Sequence, residues 1–198
     1  MESANIRPDA LARSLALAFR DDPVFGWLMP DAGKRLARLD RFFTIELRHV
    51  VLPAGRAIVR EVDAGVSLEL PPGAWRMPFR AQAAHGPAFA GVFGARLLHA
   101  FALITKMERR HLREPHYYIP YVGVIPEAQG RGLGTALLRE TLDRCDSERL
   151  PAYLEATCEA NARLYARLGF EHLGSFTLGS SPPLWPMRRS PSWIPGSS

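Results

Sequence analysis

The amino-acid sequence predicts an α/β or α+β domain with a parallel strand pair at its centre. Between residues 116 and 189, segments rich in β-branched and aromatic residues alternate with segments whose leucines recur at helical spacing, in the order strand, helix, strand, helix, strand, strand. The chain has 198 residues, of which 47% are hydrophobic and 23% charged, and this suits one well-buried domain. We therefore expect a single domain over residues 1–190 and a frayed tail over 191–198.

The first half of the chain predicts helices on either side of a strand hairpin. Pro8 and Asp9 suit a helix start, and Leu11 and Leu15 follow at helical spacing. The segment DDPVFGWLMPD, residues 21–31, breaks this pattern with prolines and a glycine and predicts an aromatic-rich loop. The other predicted elements are a helix over 33–51, strands at 57–63 and 65–70 joined by a tight turn, and a mostly helical region over 75–113.

The second half is more regular. Residues 116–125 predict a strand because they are rich in β-branched and aromatic side chains. Leu133, Leu137 and Leu142 trace one face of a helix that ends near Arg149. The remaining elements are a short strand over 151–157, a helix over 160–170 that Gly169 stops, and two closing strands at 171–179 and 184–189.

Composition excludes several classes of function. No apolar run reaches the roughly 18 residues of a membrane span, and the N-terminus predicts an amphipathic helix instead of a signal peptide. The net charge of +5 comes from scattered arginines, so an ordinary basic surface is favoured over nucleic-acid binding. Cys145 and Cys158 form no CxxC motif, which indicates a reducing, cytoplasmic location. Either a monomer or a homodimer is compatible with these features.

No metal or nucleophile motif stands out. The six histidines have no metal-ligand spacing, so no metal is expected. His111 and His116 flank a turn, where we expect surface residues. The sequence contains no pattern for a catalytic serine triad.

Three alternate glycines separate the strand at 116–125 from the following helix. Gly130, Gly132 and Gly134 let backbone N–H groups approach a ligand, and the helix start adds unpaired donors and a partial positive charge. The junction therefore favours a phosphate or diphosphate. A Walker loop is excluded because its lysine is missing, and the dinucleotide fingerprint fails because its sixth position is Thr135. What remains is the pattern Gln-x-x-Gly-x-Gly, starting at Gln129.

Three linked motifs in this region resemble the GNAT superfamily of N-acetyltransferases. VGVIPEAQGRGLGTALL, residues 122–138, is similar to the superfamily's acetyl-CoA motif, and YLEAT and NARLYARLGF, over 153–170, are similar to its next strand and helix. The resemblance implies a three-layer α+β sandwich: a mixed, mostly antiparallel sheet flanked by helices, with a splayed parallel strand pair at the cofactor cleft. DDPVFGWLMPD, LPPG and PLWPMRR are further similar to the branch that contains puromycin N-acetyltransferase, although Glu69 stands where that branch often has tryptophan.

The resemblance implies that acetyl-CoA is a co-substrate and that its acetyl group is transferred directly to a primary amine. It also implies which residues bind the cofactor. In it, Val122, Gly123 and Val124 line the pantetheine arm, and the N–H of Val124 faces the thioester oxygen. Arg131 adds charge at the diphosphate, unless it is a solvent-facing loop residue. The full set of expected cofactor-binding residues is Val122, Gly123, Val124, Gln129, Gly130, Arg131, Gly132, Leu133, Gly134, Thr135 and Asn161.

Tyr165 and Glu155 are the expected catalytic residues. A phenol stays protonated at neutral pH, so Tyr165 can donate a proton to the leaving thiolate; the alternative is a core tyrosine. Asn161, four residues earlier, projects from the same helical face, and its alternative is a plain helix-start residue. Glu155 is a carboxylate in an apolar strand, where it is costly unless it is paired or acts as the general base. An ion pair with an arginine is the alternative for Glu155.

The acceptor site has no specific motif. We expect Phe25, Trp27, Tyr117 and Tyr118 to bind the amine, with aromatic core packing as the alternative for the two tyrosines. Carboxylates that could attract a cationic amine, unless they are ordinary surface residues, are Glu46, Glu61, Asp63 and Glu69. The leading hypothesis is acetylation of a small-molecule amine. Acetylation of a protein or aminoacyl-tRNA amine, and a catalytically silent CoA-binding module, are the alternatives.

Overall fold

One six-stranded sheet forms the centre of the computed structural model, which describes residues 7–61, 63–76 and 79–192. The strands are β1 (Arg56–Arg60), β2 (Gly65–Leu70), β3 (Tyr117–Val124), β4 (Ala152–Ala156), β5 (Glu171–His172) and β6 (Trp185–Arg189). Their order in the sheet is β1-β2-β3-β4-β6-β5. Every neighbouring pair is antiparallel except β3 and β4, which are parallel. The predicted mixed sheet with one parallel pair is therefore confirmed.

Helices cover both faces of this sheet. Gly123 of β3 faces α1, whereas its neighbour Val124 faces α6, because successive strand residues point to opposite faces. The α-helices are α1 (Pro8–Ala18), α2 (Pro23–Leu28), α3 (Ala32–Ile45), α4 (Phe79–Phe93), α5 (Leu97–Arg110), α6 (Leu133–Glu148) and α7 (Glu159–Arg167). Of the predicted tail, residues 193–198 lie outside the described residues.

The aromatic-rich segment over 21–31 is not the loop that its prolines and glycine predict, because Pro23–Leu28 form the short helix α2. Asp22 caps this helix: its Oδ1 accepts hydrogen bonds from the N–H groups of Val24 and Phe25 at 2.9 and 3.0 Å. Pro23 occupies the first helical turn, where its missing N–H costs nothing. An aspartate followed by proline is a helix-start signal, and here it outweighs the helix-breaking residues that follow.

The helix predicted over 33–51 changes its hydrogen-bond pattern partway. Its first part is α3, capped by Asp31, and Glu46–Val51 continue as a π-helix. A π-helix is rare and is found frequently at functional sites. The sequence carries no recognisable signal for this change.

Two helices rather than one make up the helical region predicted over 75–113. A 3-10 turn at Gly94–Arg96 separates α4 from α5, and Gly94 has a φ of 53°. The continuous helical stretch Gly86–Arg110, which includes the 3-10 turn, contains an 18-residue window with a mean hydropathy of 1.6 and is, among the described residues, the one stretch long and apolar enough to cross a membrane by length and composition alone. Arg96 and Lys106 interrupt its apolar residues, so it is not the uninterrupted apolar run that was considered in the sequence. Within it, Val92, Phe93, Ala100 and Leu103 are buried in the core, and 22% of the apolar window as a whole is buried.

The closing strands are shorter than predicted. Only Glu171–His172 form β5, and an isolated bridge between Phe176 and Leu184 replaces the rest of the first strand. β6 follows the prediction closely and pairs with β4 along its whole length.

The contact between α1 and β3 depends on Gly123. A Cβ added at Gly123 would lie 2.8 Å from the Cβ of Ala18 and 3.1 Å from Cδ2 of Leu15, both of which belong to a tightly packed helix face. Gly123 is therefore needed for the close approach of α1 to the sheet.

We predict that Gly123→Ala lowers the free energy of unfolding by about 1–3 kcal/mol, because overpacking forces the helix away from the sheet. Gly26→Ala is the matched control, since an added Cβ there meets only the Arg35 guanidinium at 3.9–4.0 Å. Urea unfolding of both variants measures the difference. Equal stability of Gly123→Ala and the unsubstituted protein would contradict the prediction.

Candidate active site

β3 and β4 separate after two paired positions. Tyr117 pairs with Ala152 and Tyr118 with Tyr153, and no pairing follows. On the other side of β3, the register with β2 is irregular: Ile119 and Pro120 lie opposite the single residue Glu69. A bulge twists the strand locally, and proline lacks the N–H that a continued ladder would need. The splayed parallel pair implied by the family resemblance is thus present. Pro120 is a residue from which the separation of the strands could have been predicted, but it was not among the expectations above.

The glycine turn after β3 leaves its backbone open at the start of α6. Gly130 and Gly132 have φ values of 75° and 82°, and an added Cβ would meet no atom within 4 Å at either position. No side chain caps α6, so the first N–H groups of this 16-residue helix keep their hydrogen-bonding capacity. Gly134 has a different role, because its Cα faces Leu164 and Val124 in the packed interior. The turn fits a diphosphate held by main-chain N–H groups.

The other expected cofactor residues surround this turn. Gln129 Nε2 donates to the Val124 carbonyl at 3.1 Å and ties the turn to β3. Arg131 pairs with Glu61 at 2.8 Å, with both side chains exposed. Thr135 borders a shallow depression beside Arg60 and Arg139, two arginines that no sequence motif assigned to the site. Leu133 is buried in the packed interior.

A cavity of about 260 Å³ extends along β3 and β4, beneath α5; we call it the central cavity. Its lining is mostly aromatic and aliphatic. It contains four carboxylates, and among the described lining residues none is lysine or arginine. The carboxylates are Asp22, Glu46, Glu108 and Glu155.

Glu155 lies at the point where β3 and β4 separate. Its side chain is only 4% exposed. Tyr118 Oη donates to Glu155 Oε2 at 3.0 Å, and His111 Nδ1 lies 3.8 Å from Oε1. The predicted alternative of an ion pair with an arginine is not what the structure contains, because the partners of Glu155 are a tyrosine and a histidine.

Tyr165 and Asn161 both line the central cavity from α7, as their spacing predicts. Tyr165 is 7% exposed and packs on Phe170 with the ring centroids 6.0 Å apart, so it is a core residue and a cavity residue at once. Burial raises the pKa of its phenol well above the ordinary value, and the nearby Cys158 and Asp22 add to this. The hydroxyl therefore carries its proton throughout the neutral range.

Asp22 joins α2 to the end of β4. Its Oδ2 accepts a hydrogen bond from the Thr157 hydroxyl, while its Oδ1 caps α2. Burial raises the pKa of this carboxyl, and the hydrogen bonds from Thr157, Phe25 and Val24 partly offset the effect.

Glu46 occupies the first position of the π-helix. It faces the central cavity together with Phe42 and Val50, one turn away on either side. Burial raises the pKa of its carboxyl to about 7 from an ordinary value of 4.5. The three other carboxylates considered at the sequence level are not part of the central cavity. Glu61 pairs with Arg131, Asp63 lies in the turn between β1 and β2, and Glu69 is buried between Arg56 and Arg144.

Two of the four expected acceptor residues line the central cavity, namely Phe25 and Tyr118. The structure does not bring Trp27 or Tyr117 to it. Trp27 Nε1 donates to Ser180 Oγ at 3.3 Å, and its ring contacts His99 and Arg96 outside the cavity. Tyr117 lies on the opposite face of the sheet, where its hydroxyl donates to Glu148 of α6 at 2.8 Å. Alternation along the strand explains why Tyr117 and Tyr118 separate.

His111 and His116 are buried, so the expectation of surface histidines was wrong. Their exposed fractions are 7% and 1%, and their Nε2 atoms lie 2.9 Å apart. Trp75 stacks on the His111 ring with a centroid distance of 3.8 Å. No motif in the sequence indicates this cluster, because Trp75 is distant in the chain from the two histidines.

The described residues contain no group of three or more histidine, cysteine or acidic side chains that could hold a metal ion. Both cysteines are free.

A splayed parallel strand pair above a glycine-rich helix start defines the GNAT fold. The model of the Acetyltransferase (GNAT) family matches residues 70–170, just over half of the chain. The chain therefore belongs to the GNAT family and is an acetyltransferase.

Known proteins agree with this assignment. An uncharacterized N-acetyltransferase of Schizosaccharomyces pombe is 29% identical over 185 residues, which cover 84% of this chain and 72% of that protein. A Corynebacterium glutamicum crystal structure, described as histone acetyltransferase HPA2 and related acetyltransferase, matches with a TM-score of 0.71 at 28% identity over 96% of each chain. Drosophila melanogaster polyamine N-acetyltransferase, which forms N-acetylagmatine, has a TM-score of 0.58 at 18% identity, over 92% of this chain and 93% of that one, and shares the fold.

We predict that Glu46 makes stability depend on pH. Because burial raises its pKa to about 7, the folded protein binds this proton more tightly than the unfolded chain does. The resulting stability is complete below the ordinary pKa of 4.5 and is lost as the pH rises through about 7. Relative to the unsubstituted protein, Glu46→Gln should therefore gain on the order of 1–3 kcal/mol in unfolding free energy between about pH 4 and pH 8. Urea unfolding at both pH values measures this, and a pH-independent difference would contradict it.

Proposed function

We propose that the protein moves the acetyl group of acetyl-CoA directly to a primary amine of a small, cationic molecule. The observation that carries this proposal is the central cavity, where four carboxylates and many aromatic rings have no lysine or arginine beside them among the described lining residues, and one histidine, His111, lies beside Glu155. Buried carboxylates are costly without positive partners, and aromatic rings favour a cation at their faces. A protonated amine supplies that charge.

The cofactor side of the proposal rests on the glycine turn and the splayed strands. The N–H groups from Gly130 to Thr135 would hold the diphosphate, and Val122, Gly123 and Val124 would contact the pantetheine arm from β3. Acetyl-CoA would supply an activated acetyl thioester at the point where β3 and β4 separate. Asn161 faces the same cavity and would contact the bound cofactor.

Two side chains would move protons. Glu155 accepts a proton from the acceptor ammonium, directly or through water, and leaves the amine neutral and nucleophilic. Tyr165 holds a proton on Oη, because burial raises its pKa, and can donate it as the thiolate departs. Tyr118 donates to Glu155 Oε2 and thereby fixes the orientation of that carboxylate. Direct transfer needs no covalent intermediate on the enzyme.

The candidate acceptors follow from likeness to known enzymes. The structural likeness to an enzyme that forms N-acetylagmatine makes agmatine and polyamines the first candidates. The sequence resemblance to the puromycin N-acetyltransferase branch adds aminonucleosides. A cytoplasmic location and a small-molecule partner belong to the same proposal.

Acetyl-CoA titration and thiol release with an amine panel test the function. We expect acetyl-CoA to bind with measurable heat and dicationic amines to release thiol faster than neutral ones. A Gly132→Ala variant should bind acetyl-CoA more weakly, because its φ of 82° disfavours a side chain and the added Cβ would occupy the open space that the diphosphate needs. Gly73→Ala, also at a φ of 82° but far from the turn in sequence, is the matched control.

Each other outcome of this assay contradicts part of the proposal. Cofactor binding without thiol release from any amine would indicate a silent CoA-binding module. Release only with peptides or aminoacyl-tRNA would replace the small-molecule acceptor, and a steep salt dependence would accompany the tRNA case. No binding of acetyl-CoA at all would overturn the cofactor assignment.

We predict that Tyr165→Phe lowers kcat by about 10²- to 10⁴-fold, the usual contribution of a positioned acid, while acetyl-CoA affinity hardly changes. The ring and its packing on Phe170 are retained, so only the Oη proton is lost. Steady-state kinetics and calorimetry measure the two quantities. An unchanged kcat would remove Tyr165 from proton transfer.

A further inference from the structure

A chain of polar contacts runs from Glu155 through His111, which also lines the central cavity, to His116 in the core. His111 Nδ1 lies 3.8 Å from Glu155 Oε1, and His111 Nε2 lies 2.9 Å from His116 Nε2. His116 Nδ1 lies 2.7 Å from the backbone carbonyl oxygen of Glu114. The two histidines are thus linked in series behind the expected general base.

The end of this chain fixes the position of every hydrogen in it. A carbonyl oxygen can only accept, so His116 Nδ1 carries a hydrogen and donates it to Glu114. Burial lowers the pKa of His116, which keeps the ring neutral and leaves a lone pair on its Nε2. His111 Nε2 must then donate to that lone pair. Only His111 Nδ1 remains free to gain or lose a proton, and it faces Glu155.

The Glu155 carboxylate has one oxygen without a hydrogen bond on the side that faces His111. Glu155 Oε2 accepts from Tyr118, but Oε1 is buried and makes no hydrogen bond within normal geometry in the described part of the chain. The buried Tyr153 hydroxyl interacts electrostatically with the same carboxylate but is likewise without a hydrogen bond of normal geometry. An unpaired buried acceptor beside an unprotonated ring nitrogen is unfavourable on both sides. Uptake of one proton between Oε1 and Nδ1 removes the conflict, either as a carboxylic acid facing an imidazole or as a carboxylate facing an imidazolium. The resting pair, a carboxylate facing a neutral imidazole, is therefore a proton acceptor.

The surroundings of His111 make this pair distinct from a surface histidine. The titratable side chains that face it are Glu155 and Tyr153 from β4, Tyr118 from β3 and His116 from the turn before β3. From α5, Glu108 lines the same cavity. Trp75 covers the ring, and the Arg76 guanidinium lies 4.7 Å from the Trp75 ring centroid. This packing holds His111 in one orientation.

We propose that His111 is the proton store of the general base, a positioning residue that acts through Glu155. This inference rests on the proposed function. The acceptor N–H bond breaks as an O–H bond forms on Glu155; that O–H bond then breaks as an N–H bond forms on His111 Nδ1. A carboxylate, a neutral imidazole and an ammonium thus become a carboxylate, an imidazolium and a neutral amine, so charge and protons balance.

The proton cannot pass beyond His116. The imidazolium is stabilised by the Glu155 carboxylate on one side and by the His116 lone pair on the other. The Glu114 carbonyl cannot take up a proton, so the chain does not conduct onward to solvent. The proton returns through Glu155 to water when the product leaves the central cavity.

Nuclear magnetic resonance of ¹⁵N-histidine-labelled protein tests the shared proton without any turnover. We expect the His116 resonances to show the Nδ1–H form and those of His111 to show a hydrogen on Nε2, with the added proton appearing on His111 Nδ1 as the pH is lowered. In Glu155→Gln, the His111 Nδ1 resonance should move toward that of a proton-free ring nitrogen, because the carboxylate that shares the proton is gone. His172→Gln, at an exposed histidine of β5, is the control and should leave the His111 resonances unchanged. A His111 Nδ1 resonance that does not respond to Glu155→Gln would overturn the proposal.

Kinetics test the use of the proton during transfer. His111→Gln retains an N–H that can reach His116 but lacks the Nδ1 lone pair. We expect kcat near neutral pH to fall by about 10- to 100-fold and the acidic limb of its pH profile to move, with acetyl-CoA affinity unchanged. His172→Gln, at an exposed histidine of β5, is the control and should match the unsubstituted protein.

The two measurements separate the possible failures. A His111→Gln pH profile that coincides with that of the unsubstituted protein overturns the store, even if transfer is active. Absence of transfer with every amine contradicts the proposed function instead, and the resonance titration still decides whether Glu155 and His111 share a proton.

Discussion

The separation of β3 from β4 after Tyr118 is the constraint on which the rest of the structure depends. Ile119 and Pro120 form a bulge opposite Glu69, and proline supplies no N–H for a further ladder bond. Glu69 is itself held by Arg56 and Arg144, at 3.0 Å each, so the strand facing the bulge is firmly anchored. The sheet therefore opens where main-chain groups and the Glu155 side chain face a common cleft.

The carboxylates of the central cavity determine which ligands the opened sheet can bind. The central cavity combines buried carboxylates with aromatic rings, an arrangement that raises the pKa of Asp22 and of Glu46 and leaves Glu155 Oε1 without a hydrogen bond of normal geometry among the described residues. Isolated, these groups lower the stability of the fold; a bound cation removes much of that cost. The π-helix at Glu46–Val51 brings one carboxylate to this surface. The fold thus maintains a local excess of negative charge, which the acceptor that we propose would neutralise.

The elements that local sequence patterns encode were predicted well. The glycine turn, α6, the strands of the parallel pair and α7 are contiguous segments, so spacing and turn chemistry were enough to find them. The errors have local causes too. Asp22 and Pro23 start a helix that the later prolines and glycine obscured, and alternation along β3 sends Tyr117 to α6 instead of to the central cavity. His111 and His116 flank a polar turn, yet Trp75 and Tyr153 cover the His111 ring.

The sequence by itself determined the family, the sheet with its parallel pair and the position of the glycine turn, because each is encoded by residues that are neighbours in the chain. Only the tertiary structure decided which side chains share the central cavity. Glu46, His111, Glu155 and Tyr165 come from different elements, and their meeting depends on how the helices pack across an opened sheet. Spacing along the chain carries no information about such contacts, because burial and partner choice are set by the packing of distant segments.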